Sequence, residues 1–240
     1  MKNVISISMD MDWAPDEVVR YSLDILDRYG IRATLFMTNK LGIDVSPHEQ
    51  GIHPNFTSID FEKHIAERLD DFPGTVGSRS HSFFFTERFR PLYEKYGIEY
   101  DSNVMMYRQK DIHPYRIAPW TLEIPIFWMD NFYIEMEGEY PDYSLAKLDV
   151  GSPGYKVFDF HPVHVFLNTC SIKEYQEAKV HYHNPEELKK LRNTRRRGTT
   201  DLFVSLLEHI KASNLEVRTL GEISASFKIS ETQKISDNGR

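Results

Sequence analysis

The strongest constraint in this sequence is a strand-then-helix unit that repeats along its first hundred residues. Residues 3–12 alternate, with Val4, Ser6, Ser8, Asp10 and Asp12 on one face and Ile5, Ile7, Met9 and Met11 on the other. An apolar strand face needs a cover, and residues 15–29 supply one. Val18, Ser22, Ile25, Leu26 and Tyr29 form a helical stripe that opens after Pro15 and closes at Gly30. The unit recurs as a strand over 32–38 and a helix over 59–72 that carries Phe61, Ile65, Leu69 and Phe72 on one stripe. A strand at 75–81, a helix at 86–96 and a strand at 98–102 continue it, with Gly97 where a helix C-terminus turns left-handed. Such alternation predicts an α/β domain with a largely parallel sheet.

Beyond residue 103 the pattern weakens. Residues 103–155 are rich in aromatics, Pro and Asp and read as loops and short strands, apart from the apolar run Ile124–Met129. A strand returns at Val157–His161, with Phe158 and Phe160 on one face and Val157, Asp159 and His161 on the other. Helices are expected at 185–192 and 200–213 and a last strand at 215–219. No composition shift marks a linker, so one domain is expected over 1–227, followed by a polar, mobile tail at 228–240. No GxGxxG or GxxxxGK[ST] loop follows the first strand, which weakens a nucleotide-binding open sheet. Polar residues at strand ends point instead to a site at the carboxyl edge of a barrel.

Charge and cysteine content narrow the function. The formal charge of -7 argues against nucleic acid as a partner, since phosphate neutralisation needs a basic face. Arg195, Arg196 and Arg197 are the local exception, read either as a solvated loop or as a phosphate-binding edge. Cys170 is the one cysteine, which excludes an intramolecular disulfide, a CxxC zinc knot and a dithiol redox site. No window reaches the roughly 18 apolar residues that a membrane span requires, and the opening apolar stretch is too short for a signal-peptide core. A cytoplasmic protein without an integral membrane segment is expected.

The candidate chemistry lies at the strand ends. Asp10 and Asp12, two apart on a strand, would project from one face about 7 Å apart, as a metal or acid/base pair or with Asp12 capping a turn. His53 sits in the loop segment HEQGIHPNF, with His48 a weaker candidate. Arg79 and His81 repeat the two-residue spacing, and an inward arginine needs an acid, for which Asp10 is available; an exposed strand is the alternative. His161 ends its strand before Pro162 and suits proton transfer near neutrality, with His164 as the alternative and Asp159 making separate contacts.

These segments, SMDMDW, RATLFMTNK, GIHPNF, RSHS and FDFHPVH in that order, resemble the motifs of the polysaccharide deacetylases, the NodB-homology or carbohydrate esterase group. The resemblance spans residues 4–170 and implies a distorted, irregular (β/α) barrel that removes acetyl groups from sugars with a divalent metal, usually zinc. It casts Asp10 as catalytic base, Asp12 and His53 as metal ligands, Arg79 as the residue that orients the base, and His161 as the acid for the leaving amine. Two departures stand out. The second motif usually carries another histidine four residues after the first, where this chain has Thr57, and His81 is the expected replacement ligand. The proline-rich stretch after the family's arginine is replaced by SHSFFF. The implied partner is a carbohydrate, as a sugar nucleotide or a lipid-linked glycan in surface polysaccharide or lipopolysaccharide assembly. Trp120 and Trp128 are candidates for stacking on sugar rings or for core packing. The alternatives are an inactive carbohydrate-binding relative and a metal-dependent amidase acting on a non-sugar amide.

Overall fold

The protein is described by a computed structural model covering residues 2–238, with side chains as far as Ile229. Its elements are β1 (Asn3–Asp10), α1 (Asp16–Tyr29), β2 (Thr34–Met37), β3 (Glu49–Ile52), α2 (Phe61–Asp71), β4 (Gly77–Ser78), α3 (Phe89–Tyr96), β5 (Tyr100–Asp101), β6 (Tyr115–Arg116), β7 (Leu122–Glu123), β8 (Ile126–Met129), α4 (Asp130–Met136), β9 (Gly154–Phe160), α5 (Pro162–Leu167), α6 (Ile172–Lys179), α7 (Pro185–Lys190), α8 (Thr199–Ala212), β10 (Glu216–Val217) and α9 (Leu220–Asn238).

One sheet runs in the order β6-β7-β5-β4-β3-β2-β1-β9-β8, with β10 beside the start of β1. Among the described residues only β6 and β7 pair antiparallel. The sheet curls until its ends meet. The segment from β7 to β8 pairs on one side with the β5 region, through Ile124 N to Asp101 O (2.9 Å) and Ile126 N to Val104 O (2.9 Å). On the other side Ile126–Met129 pair with β9. An irregular barrel results.

The alternation in β1 decides what fills it. Ile5, Ile7 and Met9 pack outward beneath α1, α5 and α8 in the main core with Leu23, Leu26, Phe158, Phe160, Phe203 and Leu206. The smaller inner cluster holds Val4, Phe36, Tyr100, Leu122, Val157, Leu220 and Ile223, so the start of α9 plugs the barrel floor. Above that floor the interior turns polar, with Ser6, Ser8, Asp10, Arg79 and Asp159 all buried. Two glycines make room for the inner aromatics. A Cβ on Gly51 would meet the Phe36 ring at 2.7 Å, and one on Gly77 would meet the Tyr100 ring at 2.0 Å.

The structure departs from the sequence reading after the first strands. The strand expected at 75–81 contracts to β4, because the chain leaves the sheet where Ser80 N donates to the Asn103 side chain (2.9 Å) and His81 N to Pro54 O (3.0 Å). Helices α4, α5 and α6 were not expected. All of Pro162 to Leu167 is buried in α5, so no polar face exists to show a helical period. The polar segment after Phe227, expected as a tail, continues α9 as helix to Asn238, and residues 239–240 lie outside the described residues. No helix among the described residues is long and apolar enough to cross a membrane.

Gly77→Ala is expected to destabilise the fold by about 1–3 kcal/mol, because the buried Tyr100 ring cannot move aside without displacing the inner cluster. Urea unfolding checks this; an unchanged midpoint would mean that β4 and β5 do not pack as described.

Candidate active site

The C-terminal ends of β1, β3, β4, β8 and β9 lie at one mouth of the barrel, and each delivers a functional side chain. Asp10 is the last residue of β1, and Asp12 follows it in a turn with left-handed backbone at Asp12 (φ 43°) and Trp13 (φ 58°). The turn is held by Met11 N to Phe36 O (3.0 Å) and Trp13 N to Thr38 Oγ1 (2.8 Å). Strand alternation therefore does not position Asp12; the turn does, and it swings the carboxylate over the barrel mouth. His53 follows β3, Arg79 follows β4, and His81 opens a short 3-10 turn, His81–Phe83, in which Ser82 and Phe83 have positive φ. His161 follows β9.

At the bottom of the mouth Arg79 is fully buried. Its Nη1 donates to Asp10 Oδ1 (2.8 Å), to Ser8 Oγ (3.0 Å) and to Asp159 Oδ1. Nε donates to Ser102 O (2.8 Å), Nη2 to Ser102 Oγ (2.8 Å), and the guanidinium lies 4.2 Å from the Phe36 ring centroid. Burial lifts the Asp159 carboxyl to about 7, against the pull of Arg79 and with help from the Asp10 charge. Asp10, Asp159 and His161 lie close enough together to suggest a metal site, but Nη1 already bonds both carboxylates, so the local cation is the guanidinium.

Above this floor Asp12, His53 and His81 converge, their donor atoms within 4.8 Å of one another. Asp12 Oδ1 is 3.2 Å from both His53 Nε2 and His81 Nδ1. Burial alone would raise the Asp12 carboxyl, but His53, His81 and His161 hold it far below the usual carboxylate range. His53 is fully buried, yet neither of its ring nitrogens makes a hydrogen bond. A buried imidazole with both nitrogens unsatisfied, facing a carboxylate and a second imidazole, is the donor set of a three-ligand zinc site. The site residues fit a divalent metal.

His161 faces this cluster from the opposite wall, Nε2 3.6 Å from Asp12 Oδ2. Its Nδ1 bonds Asp130 Oδ1 (2.7 Å), and its backbone N donates to Asp130 Oδ2 (2.7 Å). Burial would depress the imidazole, but the buried Asp130 carboxylate, with Asp12 and Asp10 beyond it, raises it well above its ordinary value. Asp130 was missed in the sequence. The signal available was an acid directly after the apolar run Ile124–Met129. Asn131 bridges onward, its amide meeting His161 Nε2 (3.2 Å) and its oxygen His164 Nε2 (2.5 Å).

A cavity of about 320 Å³ joins Asp10, Asp12, His53, His81 and His161, with Phe83, Asn131 and Phe132 on its walls. A second cavity, about 780 Å³, opens on the other side of Asp12 and His81. The remaining candidates lie elsewhere. His48 accepts from Ala33 N (3.1 Å) behind β2, and Thr57 sits in an exposed loop. Trp128 is fully buried against Phe158 and Phe160, and Trp120 Nε1 donates to Arg90 O (3.3 Å). Arg196 lies over the Tyr140 ring and Arg197 bonds Ser205, so neither borders these cavities.

A curled parallel sheet with its polar cluster at the carboxyl mouth is the distorted barrel of the NodB type. The chain belongs to the WbmS-like polysaccharide deacetylase family, whose sequence profile matches residues 7–179. It is similar to a crystal structure from Bordetella bronchiseptica described as a polysaccharide deacetylase involved in O-antigen biosynthesis. The two are 27% identical, the match covers 87% of this chain and 91% of that one, and the TM-score is 0.78. A polysaccharide deacetylase structure from Mycobacterium smegmatis matches at 17% identity over 91% and 94% of the two chains, with a TM-score of 0.47. A carbohydrate esterase family 4 pseudoenzyme from Bacillus anthracis matches at 12% over 93% and 66%, with a TM-score of 0.46. No curated relative matches the chain.

Arg79→Met leaves two buried carboxylates without their cation and is expected to cost about 3–5 kcal/mol at pH 8. Asp159, already raised to about 7, would rise further. A carboxyl raised in the folded state costs stability progressively as pH climbs from its unfolded to its folded value, so a further rise of Asp159 adds its deficit above pH 7. Denaturation of both proteins at pH 5 and pH 8 checks this; an equal deficit at both would show that the Asp159 charge is not what Arg79 balances.

Proposed function

We propose that this protein is a metal-dependent deacetylase that hydrolyses an acyl amide on an amino sugar or glycan precursor, with residues 1–227 as its one catalytic domain. The observation that carries the reading is the meeting, in one cavity, of a three-donor cluster, a carboxylate fixed by a buried arginine, and an imidazole fixed by a buried carboxylate.

A divalent cation, with zinc the reading favoured by two imidazoles and one carboxylate, would be held by Asp12, His53 and His81 and would supply Lewis-acid polarisation of the acyl carbonyl. Asp10 is the base. Arg79 occupies its Oδ1, which leaves Oδ2 facing the cavity to take the proton of the attacking water. Water adds to the carbonyl carbon, the carbon–nitrogen bond breaks, and His161 delivers a proton from Nε2 to the departing amine. Asp130 holds that ring by Nδ1 and stabilises its charged form. Acetate and a free amine leave.

The substrate is read as a sugar nucleotide or lipid-linked glycan in surface polysaccharide assembly. The Bordetella relative, described as acting in O-antigen biosynthesis, supports that process. An inactive, sugar-binding relative is the rival, favoured by Thr57 in place of the family's second-motif histidine. His81 Nδ1, at 3.2 Å from Asp12, supports the metal-dependent reading against it.

The test is acetate release from UDP-N-acetylglucosamine and from N,N'-diacetylchitobiose, alongside elemental analysis. Asp10→Asn is expected to slow release roughly 100- to 10,000-fold with zinc content unchanged. His81→Ala is expected to lose most of its zinc. Undiminished zinc in His81→Ala removes that ligand from the scheme, and purified wild type that holds no zinc favours the inactive relative.

A further inference from the structure

The larger cavity, about 780 Å³, is unused by this chemistry. It shares Asp12 and His81 with the catalytic cavity, so the two lie on either side of the same cluster and can be occupied by one molecule. Its near wall is the indole of Trp13, 37% exposed and edge-on to His81 at 5.2 Å between ring centroids. Its far wall is Tyr175, Lys179, His181, Tyr182 and His183, from the end of α6 and the segment before α7.

Two features of that wall ask for a ligand. The Lys179 ammonium lies 5.9 Å from the Tyr175 ring centroid, and no carboxylate pairs with it among the described residues. Asp12 is the one acid on the lining, and its charge is committed to His53 and His81. An unpaired lysine on a lining with no free carboxylate makes this wall locally cationic in a protein whose overall charge is -7.

We propose that this groove is a substrate subsite that binds an anionic group, a carboxylate or a phosphate, carried by the substrate beside the acylated sugar. The inference rests on the deacetylase reading and narrows it. The acyl group enters the smaller cavity, Trp13 covers the connecting sugar face, and Lys179 holds the anionic oxygens. A neutral glycan would leave the ammonium unanswered.

The experiment is calorimetric titration of the zinc-loaded protein with three probes: UDP-N-acetylglucosamine, which carries a diphosphate; glucuronosyl-β1,3-N-acetylglucosamine, which carries a carboxylate; and neutral N,N'-diacetylchitobiose. At least one anionic probe is expected to bind about tenfold or more tightly than chitobiose, and the stronger one names the source of the anion. Lys179→Ala is expected to weaken that probe roughly 10- to 100-fold, with chitobiose unaffected. Zinc attracts anions equally in wild type and Lys179→Ala, so the difference between them reads the groove alone. Equal affinity for all three probes, or an anionic probe indifferent to Lys179→Ala, overturns the proposal. Acetate release without anion preference would remove the subsite and keep the deacetylase. Anion preference in a protein that holds zinc but releases no acid would do the reverse.

Discussion

The barrel mouth depends on one buried guanidinium. Arg79 reaches from the end of β4 to β1 through Ser8 and Asp10, to β9 through Asp159, and to the residue after β5 through Ser102. A cation so enclosed is costly to desolvate, and that cost is offset only when its donors are satisfied. Here every contact is an acceptor from another strand. The result is that strands far apart in the sequence cannot slide relative to one another without breaking a charged hydrogen bond. Apolar inner side chains such as Val4 and Leu122 tolerate small shifts better than this charged network does. Both acids give Oδ1 to Arg79, but Asp10 lines the cavity whereas the second oxygen of Asp159 is buried without a partner.

Above the arginine, geometry comes from turns and not from strands. The left-handed pair Asp12–Trp13 and the positive-φ pair Ser82–Phe83 each cost backbone energy that bulky residues do not ordinarily bear. Both flank the same cluster. The first turns Asp12 inward while Trp13 faces outward to the groove; the second holds His81 beside Asp12 and places Phe83 on the cavity wall. One strained turn thus serves the metal-type cluster and the groove together.

The parts of this site that were legible in the sequence are those that strand alternation controls. The face Val4, Ser6, Ser8, Asp10 does point inward, and the expected ion pair between Arg79 and Asp10 is present at 2.8 Å. Asp12 lies two residues past the strand, where a period of two no longer applies, so its grouping with His53 and His81 was expected from the motif resemblance and not from alternation. Asp130 was hidden for a different reason. It opens a seven-residue helix immediately after a four-residue strand, and both are too short to give a period. The buried α5 was invisible because a short helix buried on every side and a buried strand read alike.

Asp130 also separates two histidines that the sequence left as alternatives. His161 and His164 are both buried and share Asn131, yet they are pushed in opposite directions. Burial lowers His164 to about 4, and its nitrogens are spent on Asn131 and on Thr169 (3.0 Å), so it stays neutral near pH 7. His161 feels the same burial, but a carboxylate 2.7 Å from Nδ1 outweighs it. Two like groups held apart in this way have their roles divided by environment, which is why the proposed proton donor is His161. Asn131 limits how the proton can move. Its amide donates to His161 Nε2 only while that nitrogen is unprotonated, and its oxygen accepts from His164. When His161 takes a proton at Nε2, the amide must release it, leaving Nε2 turned toward Asp12 and the cavity where the leaving amine would stand.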